Sequence, residues 1–285
     1  MREARLWHSA ALAAHSPYSA LWLAVAHRLS RSPVPLFAFS FHFAKLPTGV
    51  ARYFAKWAFR SVHIFVVHSE PERGRYAAHF GLPLERFQLQ RWGVHPSSVQ
   101  IGNGAPPLAG SYICAIGKDG RDYRTLLHAI ARLPHLLLAV VAHPRNLAGV
   151  TIPPNVKIFC NVSAELAMTI LRHSLFLALP LETGQTSCGH ITLVSAMFCR
   201  KAILATDSTG IVDYFPPDYP CPRIPPGDVS AWTKELSSLA DDPDRRHASG
   251  VKGEDFAHRY CSHEVALEHT LALFAQAGFR IDRHG

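Results

Sequence analysis

The segment Ser174–Tyr214 constrains the fold of this chain more than any other stretch. Its apolar run Leu175–Leu179 is stopped by a proline, and the length of that run is typical of a buried parallel strand. After Gly189 the apolar positions follow helical spacing up to Phe198, and a second apolar run covers Ala202–Ala205. The segment therefore predicts a strand, a loop, a helix and a second strand.

The loop of this unit is rich in small and hydroxyl-bearing residues, namely Gly184, Thr186, Ser187 and Gly189. It leads into the predicted helix N-terminus, where unpaired N–H groups and the helix dipole favour bound anions. We therefore expect a phosphate group to bind at this loop.

A similar alternation fills the preceding part of the chain. Apolar runs at Tyr112–Ile116, Leu136–Ala142 and Val156–Phe159 are separated by short loops and helical patterns. This predicts an α/β fold with a parallel sheet, whose ligands bind beyond the carboxyl ends of the strands. Lys118 and Arg121 follow the first strand, and two cations facing the glycine-rich loop would neutralise a diphosphate. A pair of solvated loop cations is the alternative interpretation.

The positive charge is concentrated in the first third of the chain. Residues 1–98 contain 12 Lys and Arg against 4 Asp and Glu, whereas residues 99–285 contain 17 of each. Such a segment can meet nucleic acid, an anionic membrane surface or a phosphorylated substrate. Nucleic acid is disfavoured, because no zinc-ligand spacing, helix-turn-helix or RNP-like motif is present. A nicotinamide-dependent dehydrogenase is also disfavoured, since no GxGxxG motif follows a strand.

Two segments of this basic third have a candidate role of their own. The aromatic run Leu36–Phe43 predicts a strand, and His42 near its end is either a structural histidine or a catalytic one. Thr48–Arg60 predicts a helix with cations on one face and aromatic residues on another. Such a helix packs its aromatic stripe on a sheet or lies in a membrane interface.

A further helix is predicted after the strand Val62–Val67. Ser69 and Glu72 have the spacing of a capping box, and Gly81 is placed to end the helix. A helix over Ser163–Arg172 is expected to be capped by Ser163, and three more helices are predicted near the C-terminus, over 228–239, 243–260 and 262–277.

No apolar run reaches the roughly 18 residues that a membrane span needs, and the N-terminus lacks the apolar core of a signal peptide. The six cysteines show no CxxC spacing, and four of them lie in or beside apolar runs. This pattern favours buried free thiols over metal ligands or disulfides. We therefore expect a cytoplasmic protein without a metal site.

From Pro35 to Tyr260 the chain resembles the retaining glycosyltransferases of the GT-B fold, family four. Four segments in the family's order carry the resemblance: VVHSEPERGRYAAHFGLPLERFQLQRWGV, AIGKDGRDYRTLLHAI, NVKIFCNVSAEL and SCGHITLVSAMFCRKAILATDSTGIVDY. The resemblance implies two Rossmann-like domains with parallel sheets, of which the N-terminal one is incomplete. The implied divisions are a partial acceptor-side domain at 1–95, a linker at 96–110, a nucleotide-sugar donor domain at 111–262 and a C-terminal helix at 263–285 that packs back across the junction.

The resemblance also implies roles for individual residues. The family's diphosphate-gripping segment matches Gly117, Lys118 and Arg121, with the last two acting in catalysis. Backbone contacts at Asn161 and Val162 would hold the donor base.

Other donor-binding positions depart from the family pattern. The two glutamates that members commonly place eight residues apart are Ser187 and Ser195 here, and the second normally holds the nucleotide ribose. Ser195 could still bind a hydroxyl group, and Glu182 could supply a carboxylate. Gly184 and Gly189 complete the expected donor loop.

The activity implied by the resemblance is transfer of a sugar from a nucleotide diphosphate donor, with retention of configuration and without a metal or cofactor. The acceptor would be lipid-linked or a polysaccharide, with His42 on the acceptor side. The basic first third would meet an anionic membrane surface at the inner face of the membrane. Because both glutamates are replaced and the first domain is short, a catalytically inactive or truncated relative that acts as a binding or scaffold protein remains the alternative.

Overall fold

The computed structural model describes residues 11–43, 45–95, 98, 104–182 and 188–279. These residues form two compact units. The first unit contains the described residues up to Arg91 and those from Glu264 onwards, and the second unit contains those from Trp92 to His263. Each unit has a parallel β-sheet of its own.

Ten strands and nine α-helices occur in the described part of the chain. The strands are β1 (Leu12–His15), β2 (Leu36–Phe39), β3 (Ile64–Val67), β4 (Phe87–Leu89), β5 (Tyr112–Ile116), β6 (Leu137–Ala142), β7 (Val156–Cys160), β8 (Phe176–Leu179), β9 (Ala202–Thr206) and β10 (Arg223–Ile224). The helices are α1 (Pro17–Leu29), α2 (Gly49–Phe59), α3 (Glu70–Phe80), α4 (Tyr123–Ile130), α5 (Ala164–His173), α6 (His190–Phe198), α7 (Val229–Ala240), α8 (Pro243–Tyr260) and α9 (His263–Gln276).

The sheet of the first unit has the order β1-β2-β3-β4, with all strands parallel. Its side chains alternate between two faces, as the pleat requires. One face packs on α1, α2 and α3 through a cluster that includes Phe41, Phe59 and Phe65. On the other face, Phe37 packs against Phe274 of α9, with ring centroids 4.7 Å apart. The C-terminal helix is thus part of the core of the first unit.

The sheet of the second unit has the order β10-β9-β8-β5-β6-β7 and is also parallel. Strands β6 and β7 follow β5 on one side of it, whereas β8, β9 and β10 lie in succession on the other side of β5. Helices α4 and α7 cover one face of this sheet, and α5, α6 and α8 cover the other. The predicted α/β fold with helices on both faces is confirmed.

The observed bounds confirm several sequence predictions. The strand Tyr112–Ile116 and the helix Pro243–Tyr260 begin and end at the predicted residues. The N-cap Ser163 accepts a hydrogen bond from the Leu166 N–H at 3.2 Å. Gly81 ends α3 in the left-handed conformation, with φ of 58°.

Two local predictions are wrong. The strand predicted over Leu36–Phe43 stops at Phe39, because Ser40 turns the backbone into the left-handed region with φ of 48°. The capping box does not form, since the Ser69 side chain makes no cap bond. Glu72 instead accepts from the His68 N–H at 3.2 Å and from the Tyr76 hydroxyl at 2.8 Å.

Candidate functional site

The site lies where the second sheet changes its winding direction. Strands β5 and β8 are neighbours there, paired through Cys114 and Leu177, although β6 and β7 come between them in the sequence. The loops that follow β5 and β8 therefore diverge to opposite sides. In open parallel sheets this divergence leaves a crevice at the carboxyl ends of the strands, where ligands bind.

The guanidinium group of Arg121 lies at this crevice. The residue is only 7% exposed, and its backbone forms an isolated bridge with Leu181 just after β8. Its Nε donates to the Ile116 carbonyl at 3.2 Å, and one terminal nitrogen donates to the Asp119 carbonyl at 2.9 Å. The other terminal nitrogen lies 3.4 Å from the Thr192 hydroxyl of α6. Among the ion pairs of the described residues, none includes Arg121.

Helix α6 begins beside this guanidinium. Its N-cap Gly189 has φ of 94° and supplies no side chain to cap the first turn. A Cβ atom at Gly189 would lie 3.7 Å from a terminal nitrogen of Arg121. A helix N-terminus carries partial positive charge, so two positive groups adjoin at this point. The arrangement is complementary to an anion.

The loop 117–121 is held by several contacts outside the guanidinium. The Glu182 N–H donates to the Gly120 carbonyl at 3.0 Å, and Asp119 pairs with Arg145 at 2.8 Å. The Lys118 carbonyl accepts from the Asn146 side chain at 2.5 Å, while the Lys118 side chain is exposed. Only the second of the two predicted cations is therefore fixed by the fold.

A cavity of about 780 Å³ lies next to α6 within the second unit. Its walls come from the segment after Arg91, the end of β5, α5 and α6. None of the described lining residues is Asp or Glu, and Thr192 and Ser195 contribute hydroxyl groups. The lining residues are Trp92, Gly93, Val94, His95, Ser98, Ile116, Ala164, Ala167, Met168, Leu171, Ile191, Thr192, Ser195 and His263.

The structure brings some of the predicted donor residues together and places others apart. Gly117, Arg121 and Gly189 adjoin at the crevice, and the 7%-exposed Ser195 reaches the cavity. Asn161 is exposed with φ of 54° and directly follows β7.

The other predicted donor residues have no contact with the cavity or are not described. Val162 is half-buried beside the N-cap of α5, and Glu182 is exposed. Gly184 and Ser187 lie outside the described residues.

His42 lies in the first unit, beyond the carboxyl end of β2. Its Nδ1 is 3.0 Å from the Ser40 carbonyl, and its ring centroid is 6.3 Å from that of His68. His15, at the end of β1, lies 2.9 Å from the Ser40 hydroxyl through its Nε2. Three histidines thus gather at the carboxyl edge of the first sheet.

Sequence reasoning missed Thr192 and His190. Thr192 accepts from Arg121, and the His190 ring nitrogen Nε2 is 2.8 Å from the Gly210 carbonyl, which anchors the first turn of α6. The sequence could have indicated both residues, because they follow Gly189 in the first turn of the helix predicted to bind an anion. Trp92 and His95 were also missed, since they lie at the end of the predicted first domain, directly before the linker, where no motif marks them as site residues.

No group of three or more His, Cys, Asp or Glu side chains in the described residues is arranged so that it could hold a metal ion. Burial raises the pKa of the Cys188 thiol beside the loop, and the Arg121 guanidinium opposes that shift. In the described chain, no helix combines the length and the hydrophobicity that crossing a bilayer takes.

Comparison with known proteins gives matches among solved structures. No family model and no curated protein matches the chain. Sucrose-phosphate synthase from Thermosynechococcus elongatus superposes with a TM-score of 0.74 at 15% identity, covering 93% of this chain and 73% of that one. Anabaena HepE in complex with UDP and glucose gives 0.73 at 12% identity, over 92% and 77% of the two chains. A glycosyltransferase from Rickettsia africae gives 0.72 at 12% identity, over 93% and 76%. The chain therefore has the GT-B fold of the glycosyltransferases.

Proposed function

We propose that this chain is a glycosyltransferase that takes a sugar from a nucleotide diphosphate donor. The observation that carries the proposal is the position of Arg121 beside the N-terminus of α6. A buried guanidinium group and a helix N-terminus are both positive, and each is costly to desolvate without a negative partner. A diphosphate supplies such a partner, because its oxygens accept from the guanidinium and from the free N–H groups of a helix together.

The cavity beside α6 supports a nucleoside as the rest of the donor. Its volume of about 780 Å³ lies in the range of small-molecule sites, and its apolar walls suit a flat base. Thr192 links the two parts, because it lines the cavity and also accepts from Arg121. HepE, which is similar in fold, has been solved with UDP and with UDP-glucose. We take Asn161, Val162, Glu182 and Ser195 as further donor contacts.

The chemical role of the site would be stabilisation of the leaving diphosphate. As the sugar departs, negative charge grows on that group, and fixed donors that already point at it lower the barrier. Arg121 is held in advance by the carbonyls of Ile116 and Asp119. The exposed Lys118 side chain can swing onto the bound phosphate. Retention of configuration and independence of a metal are part of this proposal.

For the acceptor we propose a lipid-linked saccharide or a polysaccharide, with His42 on the acceptor side. The chain would then work as a peripheral protein at the inner face of a membrane. The excess of positive charge in residues 1–98 supports this location.

Calorimetric titration with UDP, GDP and ADP tests the donor site. We expect one nucleotide to bind, and Arg121→Ala to weaken it at least about tenfold, or about 1.4 kcal/mol. Arg132→Ala removes an exposed cation beyond the far end of α4 and serves as the matched control, with unchanged binding expected. Absence of binding by any of the three nucleotides to folded protein would refute the proposal.

One observation favours a second candidate, a catalytically inactive relative that binds a nucleotide. The described cavity wall contains no carboxylate, and Ser195 stands where the family commonly has a glutamate. Slow hydrolysis of the nucleotide-sugar that binds separates the two candidates, because an active donor site transfers the sugar to water and releases the nucleotide even without acceptor. Tight nucleotide binding with no release above the buffer rate would favour the inactive relative.

A further inference from the structure

Helices α1 and α2 of the first unit present a continuous apolar surface to solvent. Six of the eleven large hydrophobic side chains that are exposed in the described chain lie on these two helices. We call this surface the α1–α2 face. Its residues are Tyr18, Trp22, Leu29, Val50, Tyr53 and Phe54.

The α1–α2 face is distinct from the side by which these helices pack on the sheet. In α1 the buried positions include Ala20 and Ala24, whereas Trp22 and Leu29 are 66% and 71% exposed. Tyr18, Trp22 and Leu29 fall within a narrow arc at 100° per residue, so they form one stripe. Both helices are thus apolar on two sides, and only one side is covered by the sheet.

Aromatic contacts join the two stripes into one surface. The Trp22 and Phe54 ring centroids are 6.3 Å apart, and Phe54 stacks on Trp57 at 5.8 Å. The Arg28 guanidinium lies 5.0 Å from the centroid of the Trp57 ring, so a cation stacks directly on these aromatic side chains. These contacts hold the rings in place before any partner arrives.

The segment that carries the face has charge of one sign. Residues 4–69 contain seven Lys and Arg and no Asp or Glu. Among the described cations, Arg31, Lys45, Arg52 and Arg60 are exposed. The partner of this surface must therefore supply the negative charge as well as an apolar phase.

We infer that the α1–α2 face docks on an anionic lipid bilayer, with Trp22 and Tyr53 entering the interfacial layer. Tryptophan and tyrosine favour the headgroup boundary because their rings are apolar and their N–H and O–H groups are polar. Arg28 beside Trp57 and the exposed cations of the same basic segment meet the anionic headgroups. The inference deepens the membrane location within the proposed function, and it does not depend on the nucleotide site.

A second copy of the chain fits this face less well. In a two-fold dimer the same patch lies on both sides, so the cations of one copy would face those of the other without an acidic residue from 4–69 to pair with them. Like charges across an interface oppose association. The charge pattern therefore favours the bilayer as the occupant.

Vesicle flotation tests the inference. We expect the full chain to float with phosphatidylcholine vesicles that contain about 30 mol % phosphatidylglycerol and to remain unbound with pure phosphatidylcholine. Raising the salt concentration should release it, because screening weakens attraction between exposed charges. The double variant Trp22→Ser/Tyr53→Ser should lose at least about tenfold in vesicle affinity. Lys45→Gln/Arg60→Gln should lose a similar factor, because both are exposed cations of the basic segment that carries the face.

Matched controls use exposed residues elsewhere. Leu267→Ser removes a half-exposed apolar side chain from α9, and Lys234→Gln removes an exposed cation from α7. Both should bind anionic vesicles like the wild type. Circular dichroism of every variant checks the fold.

Three results would overturn the inference. These are no binding to anionic vesicles, equal binding to neutral and anionic vesicles, and a concentration-dependent dimer in light scattering that Trp22→Ser/Tyr53→Ser abolishes. Nucleotide titration of the same variants should match the wild type. Loss of vesicle binding with intact nucleotide binding supports the inference, and a chain that floats but binds no nucleotide refutes only the donor site.

Discussion

Gly117 and Arg121 share one small space at the end of β5: a Cβ atom on Gly117 would overlap the guanidinium group of Arg121. Gly117 also has φ of 146°, a conformation that side chains with a Cβ rarely adopt. The position of the buried cation therefore depends on a residue that has no side chain.

Gly117→Ala should displace the guanidinium and weaken nucleotide binding by about tenfold, because the preorganised contact with the phosphate is lost. Gly149→Ala is the matched control, since Gly149 also has a positive φ of 70° but open space around it. Both variants should lose stability through backbone strain, by about 1–3 kcal/mol. Titration calorimetry separates them, and equal nucleotide affinity in the two variants would contradict the role given to Gly117.

Replacing two further glycines by alanine should change the free energy of unfolding in opposite directions. A Cβ on Gly250 of α8 would collide with the Arg200 backbone carbonyl, which cannot move aside as a flexible side chain can. Gly250→Ala should therefore cost about 1–3 kcal/mol of unfolding free energy. Gly74 lies exposed within α3 with nothing near its Cβ position, so Gly74→Ala should stabilise by about 0.4–1 kcal/mol. Urea denaturation measures both, and destabilisation by Gly74→Ala would show that the site is less open than described.

Asn155 should be a strong determinant of stability in the second unit. Its side-chain nitrogen is within hydrogen-bond distance of the carbonyls of Ile130, Leu133 and Leu136, at 3.1, 3.0 and 2.8 Å. Asn155→Ala leaves these carbonyls without that donor and should cost about 1–3 kcal/mol. Asn155→Asp should cost more, because a carboxylate facing three carbonyls is repelled by them. If denaturant titration shows that Asn155→Asp is as stable as the wild type, this arrangement is contradicted.

His68 should make stability depend on pH in the mildly acidic range. Burial lowers its pKa below the ordinary value of 6.5, and the Gln90 carbonyl and Glu72 only partly oppose that shift. Because the unfolded chain then binds more protons, the contribution to stability is complete above pH 6.5 and is lost as the pH falls through the lower folded pKa.

Melting temperature against pH checks this sign. We expect the melting temperature to fall as the pH drops below 6.5, and His68→Gln should make that fall shallower. The exposed His128→Gln is the control and should keep the slope of the wild type. A steeper fall in His68→Gln would mean that the buried imidazole gains protons on folding, contrary to the prediction.

Much of the fold could be predicted because its signals are local. The strand Tyr112–Ile116 and the Ser163 cap depend on apolar runs and side-chain chemistry within a few residues. The predicted strand over Leu36–Phe43 is longer than the observed one, since the sequence pattern does not reveal that Ser40 takes a positive φ. Glu72 has the spacing of a capping box, yet the buried Tyr76 hydroxyl and the His68 N–H compete for its carboxylate.

The site was less predictable because it joins distant segments. Arg121 could be placed at a strand end from the sequence, but its contact with Thr192 requires β5 and β8 to be neighbours. The spacing of apolar residues in a sequence does not reveal the order of the strands in a sheet. The α1–α2 face shows the same limit, since an aromatic stripe in a sequence looks alike whether it packs on a sheet or points to water.

The packing of α9 on the first sheet has a consequence for synthesis of the chain. Phe37 and Val66 lie on a sheet face whose described cover includes Leu273 and Phe274. About 200 residues separate the two halves of this contact, so at 5–20 residues per second the face waits roughly 10–40 s for its cover. During that interval the nascent chain carries an open apolar sheet surface, and this surface is a defined patch for a ribosome-associated chaperone to protect until α9 emerges.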